Sequence, residues 1–142
     1  MLNDIKILQS VRKTARMGCE GSDEIVPISG NEKFRKSLET QREEYQKICD
    51  EADRMLVLKK AEPEDLTAMA KMGSKTMTMM KTMKDDSDEH LAEMMYQGSA
   101  MGVTKIIRNL REYTVQDPDV RALAERLLKT EENNMDQMKK FL

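Results

Sequence analysis

One histidine, two cysteines and no tryptophan leave this chain short of the side chains that carry most enzyme chemistry. With a single histidine, a Ser–His–Asp triad would depend on His90 alone, and no Gly-rich phosphate loop or nucleophile elbow is visible. His90, beside Glu89 and Glu93 at a helix start, reads as a solvated surface residue. Cys19 and Cys49 form neither a CxxC pair nor a zinc spacing. If the first two helices turn near Gly30, Cys19 falls beside about residue 40, with Cys49 about 13 Å further along the axis at 1.5 Å per residue. A disulfide does not span that distance, so both read as buried thiols. No apolar run approaches the roughly 20 residues of a membrane span, and residues 1–6 lack the apolar region of a signal peptide. The cytoplasm is therefore the expected compartment, with no membrane partner. An excess of one charge sign is also missing: 24 Lys and Arg against 26 Asp and Glu give a net charge of −2. Without a basic face to neutralise phosphates, nucleic acid is not an expected partner. Lys59-Lys60 and Lys139-Lys140 are too short to indicate a polyanion.

Charged residues are plentiful, at 35%, and the chain carries 14 methionines among its 142 residues. Unbranched side chains of this kind lose little rotamer freedom in a helix, and the length suits one domain with a real core. Breaks are few: Pro27 to Asn31, Ala61 to Glu64, Asp85 to Asp88, and Gln116 to Pro118. Pro63 and Pro118 suit the first turn of a helix, and Ser87 before Asp88-Glu89 resembles an N-cap. An uninterrupted helix through 64–114 is the alternative.

Between the breaks runs a 3.6-residue period. Leu8, Ala15, Cys19, Ser22 and Val26 share one face. Phe34, Leu38, Gln41, Tyr45, Ile48, Ala52 and Met55 share the next. Leu91, Met94, Gly98, Met101, Gly102, Ile106 and Tyr113 form the third, and Val120, Ala124, Leu127, Glu131, Met138 and Leu142 the last. The expectation is one all-α domain with helices at about 2–27, 31–60, 64–84, 87–114 and 118–141, four of them forming a bundle. The segment 64–84, roughly 33 Å long as a helix, would carry the chain the length of the bundle before the next helix begins. A five-helix or long-helix dimeric arrangement is the alternative.

This pattern, with the stretches Glu93-Met94-Met95-Tyr96-Gln97-Gly98-Ser99 and Glu131-Glu132-Asn133-Asn134, resembles the ferritin-like superfamily and its small bacterial bundles. The resemblance implies a ferritin-like four-helix bundle with a long helical crossover between helices 2 and 3. It also implies a di-iron basin of carboxylates built on Glu-x-x-His steps. Here those steps read Glu43-x-x-Gln46, Glu44-x-x-Lys47, Glu131-x-x-Asn134 and Glu132-x-x-Met135, each without histidine. No cofactor is therefore expected. Iron or manganese on Glu44 and Glu131, with Glu43 or Gln97, is the alternative.

A polar group nevertheless falls at mid-height, where Ala15, Gly18, Gly98 and Gly102 leave space: Gln41, Tyr45, Glu131 and Asn134. A buried carboxylate is costly unless hydrogen-bonded or protonated, so Glu131 is expected to be held by Tyr45 and Gln41. The competing reading turns the helix slightly and lets Glu131 reach solvent. If the cluster exists, it reads as a remnant that fixes helix register rather than an active site.

Met69, Met72, Met77, Met79, Met80 and Met83 cover an arc of about 160° on the segment after Pro63. They suit core packing, an interface, or a Cu(I) site on the Met69/Met72 and Met80/Met83 pairs. The function expected from all this is a non-enzymatic helical module, structural or protein-binding, whose partner is a second copy or another protein.

Overall fold

The computed structural model describes residues 2–62, 85–114 and 117–142. They form four helices: α1 (Asp4–Ile25), α2 (Glu32–Leu58), α3 (Asp88–Glu112) and α4 (Pro118–Lys139). The segment 63–84, expected as a crossover and carrying all six methionines of the expected interface, lies outside the described residues.

Each helix begins where a short polar side chain satisfies a free backbone N–H. Asn3 accepts from Lys6 N, Asn31 from Phe34 N, Ser87 from His90 N and Asp117 from Asp119 N. Ser87 is extended, and residues 85–87 are not helical, which rules out one continuous helix through 64–114. At the end of α2, Lys60 takes a positive φ of 57°. Ala61 N then donates to Leu56 O and Lys60 N to Val57 O, the paired bonds of a Schellman stop.

Contacts at the two poles fix the helix directions. Leu2 pairs with Tyr113, so α1 starts where α3 ends. At the same pole the Lys59 ammonium meets Asp117 at 3.0 Å and Asp4 at 3.6 Å, and the Tyr113 hydroxyl donates to Asp4. At the other pole Ser29 Oγ donates to Asp88 Oδ1 at 2.9 Å, and Phe34 packs edge-on to Phe141 with ring centroids 5.1 Å apart. Hence α1 and α2 form one antiparallel hairpin, α3 and α4 another, and α2 and α3 run in the same direction. No helix among the described residues is long and apolar enough to cross a membrane.

The interior is divided. A larger apolar cluster, including Leu8, Val11, Ile48, Leu56, Val120 and Leu127, fills the pole of Leu2 and Tyr113. A smaller one, built on Ile25, Phe34, Leu38, Leu91 and Met138, fills the other. Between them lies a belt of buried polar side chains: Ser22, Gln41, Ser99, Glu131 and Asn134.

Three details differ from the expected packing. Helix α3 is turned so that Ser99 and Ala92 are buried while Met101 is 74% exposed and Gly98 open to solvent. Leu142 is exposed beyond the end of α4. The α1–α2 register also differs, because Arg12 pairs with Asp53 and Arg42 with Asp23. Cys19 thus faces Arg42 and Gln46 rather than residue 40, only about 4.5 Å along the axis from the level of Cys49. Both thiols are free and buried, and burial pushes Cys19 up to about 11.

Candidate functional site

The belt's centre is a hydrogen bond between α2 and α4. Tyr45, 2% exposed, donates its hydroxyl to Oε1 of Glu131, 3% exposed. Both lie on the inward stripes of their helices, so the apolar period itself delivers them to the middle. Two glycines make the room. A Cβ on Gly18 would lie 2.5 Å from the Tyr45 ring, and one on Gly102 would collide with Glu131 Oε2. Small residues on α1 and α3 thus admit the two large polar groups of α2 and α4.

Burial dominates the electrostatics. It pushes the Glu131 carboxyl up to about 7, although hydrogen bonds from Tyr45 and Ser99 act the other way. Burial, and then the neighbouring Glu131 charge, raise the Tyr45 phenol far above its usual value, while Ser99 and Asn134 work in the opposite sense. Gln41 and Asn134 are buried in the same belt. Gln41 Nε2 reaches Ser37 Oγ at 3.4 Å and not Glu131. Gln41 Oε1 and Asn134 Nδ2 have no hydrogen-bond partner among the described residues.

The other sequence-derived candidates point elsewhere. Glu44 pairs with Arg126 at 2.9 Å on the partly exposed α2–α4 seam. Gln97 donates to Glu93 at 3.3 Å on the outer face of α3, and Glu43 is exposed. Glu131 is therefore the one member of the expected iron or manganese set at the centre. No group of three or more His, Cys, Asp or Glu side chains that could hold a metal occurs among the described residues. His90 is not fully solvated: its Nε2 is shielded and has no partner among the described residues.

Among the described residues, a groove of about 800 Å³ opens over Tyr45 and Glu131 between α1 and α3. Its α1 wall carries Thr14, Met17, Gly18, Gly21 and Ile25, and its α3 wall Met94, Met95, Gly98, Met101 and Gly102. Tyr45 and Glu131 form the floor. The volume lies within the usual range for small-molecule sites, which are mostly apolar with a few polar groups. Sequence reading found the glycines and the floor but not the groove. The misplaced α3 stripe put Met101 inside the core, whereas it stands on the lip.

Comparison with protein-family models, with curated proteins and with solved structures gives no match.

Proposed function

We propose that the chain is a non-enzymatic, cytoplasmic binding module on a ferritin-like four-helix bundle, with the groove between α1 and α3 as its working surface. The observation that carries this reading is the groove's floor. The carboxylate that a ferritin-like centre would offer to metal is instead tied to Tyr45 and buried under an apolar opening. Two hairpins with parallel second and third helices are the arrangement that a long crossover joins in ferritin-like folds. In this reading the mid-bundle cluster is a degenerate centre that sets the register of α2 against α4 and closes the groove from beneath. Methionine and glycine lips suit an adaptable apolar site, because Met side chains reshape at little cost.

The test is binding of an uncharged solvatochromic dye, Nile red, to the full chain. Saturable one-to-one binding is expected. Gly98→Phe should weaken it at least tenfold, since Gly98 lines the groove and a Cβ there meets none of the described residues within 4 Å. Gly21→Phe, equally open, serves as the second filling variant, with circular dichroism checking that both fold. Absence of saturable binding, or equal binding by the filled variants, would sink the reading.

A further inference from the structure

The groove has unlike ends. The bond from Asn109 Nδ2 to Ser10 Oγ, 2.7 Å long, ties α1 to α3 and fixes their antiparallel register. Above it, Thr14 to Ile25 run past Lys105 to Met94 for about 16 Å at 1.5 Å per residue. Among the described residues, Glu24 alone is charged on the wall near Ile25. Toward Asn109 the wall carries Lys105 and Arg108. Lys105 also lines a second depression, of about 310 Å³, with Lys6, Gln9, Ser10 and Lys13. The apolar groove therefore adjoins a basic pocket, with Lys105 in the lining of both.

The cations at this end lie together, with no acid among the described residues that line the second depression. Arg12, Arg42, Arg54, Lys59, Arg121 and Arg126 each pair with a carboxylate. Lys13, Lys105 and Arg108 have no such partner among the described residues. Desolvation, and then Lys13, lower the pKa of Lys105, so an anion placed between the two ammonium groups would relieve a local repulsion. The remainder of the groove offers a guest apolar contact over a floor whose carboxyl is already bonded.

Resting on the reading of the groove as a binding surface, we propose that it takes a free single-chain anionic amphiphile, a long-chain carboxylate. Its carboxylate sits between Lys13 and Lys105, and its tail lies along the methionine and glycine walls toward Ile25. Charge complementarity at one end and apolar length at the other select this ligand over an uncharged chain or a bare anion.

The experiment is calorimetric titration of the full chain with octanoate, decanoate and dodecanoate below their micelle-forming concentrations, alongside dodecanol. One-to-one binding should tighten about fourfold per added methylene, and dodecanoate should bind at least tenfold tighter than dodecanol. The Lys13→Gln, Lys105→Gln double variant should abolish that preference for the acid, and Gly98→Phe should remove dodecanoate binding. Nile red binding without dodecanoate binding, or equal affinity for dodecanoate and dodecanol, overturns the anion proposal and leaves the groove reading standing. Loss of both overturns the two together. Light scattering that shows a dimer from which dodecanoate is excluded assigns the groove to a second copy, and also overturns the proposal.

Discussion

Glu131 sits where a negative charge is hardest to keep, and its ionisation is coupled to folding. Its carboxyl is raised from 4.5 to about 7 by burial. Between those values the folded chain holds a proton that the unfolded chain has released, so stability falls as pH rises through this window and levels off above it. The shift corresponds to ~3 kcal/mol. Glu131→Gln removes the ionisation while keeping the shape, so its stability relative to the parent should be ~3 kcal/mol more favourable at pH 8 than at pH 4. Urea denaturation of both proteins at the two pH values checks this, and the same difference at each would contradict it. Tyr45 and Glu131 were legible in the sequence because polar residues interrupting an apolar stripe announce themselves. Ser99 was not, because a serine one step from the expected stripe carries no signal of its own. The same holds for Lys13 with Lys105 and for Asp4 with Tyr113, pairs far apart in sequence that only the fold brings together.

At the scale of the helix, α3 carries two glycines with opposite tasks. A Cβ on Gly98 meets none of the described residues within 4 Å, so Gly98→Ala should stabilise the protein by about 1 kcal/mol through helix propensity alone. Gly102 is in contact with the pinned Glu131, and Gly102→Ala should instead destabilise by about 1–3 kcal/mol, the usual cost of overpacking. Thermal unfolding of the two variants separates them; a gain in both would show that Glu131 is free to move. Helix positions followed from the breaks at Pro27 to Asn31 and Gln116 to Pro118 and from Ser87 and Pro118 at helix starts, with each of the four helices ending two residues inside the expected bound. The rotation of α3 did not follow. Methionine and glycine at 94, 98, 101 and 102 suit either a core or a groove wall, and only the partner helix decides. With Tyr45 and Glu131 seated over Gly18 and Gly102, Met101 stands on the lip of the groove, while Met94 and Met95 line it and also pack against the smaller apolar cluster.

For the whole molecule, the described residues form two apolar caps joined by a polar belt, with one side of the belt open between α1 and α3. The sequence indicated one all-helical bundle because its period repeats in every segment. It did not indicate where the opening would lie, since that depends on four residues from four helices, Gly18, Tyr45, Gly102 and Glu131, meeting at one level. Amide chemical-shift mapping of the isotopically labelled chain during titration with Nile red tests this account most directly. The account predicts saturable shifts concentrated in Thr14–Ile25 of α1 and 94–109 of α3, with Tyr45 and Glu131 moving beneath them. Shifts centred on the outer faces of α2 and α4, or none at all, would contradict it.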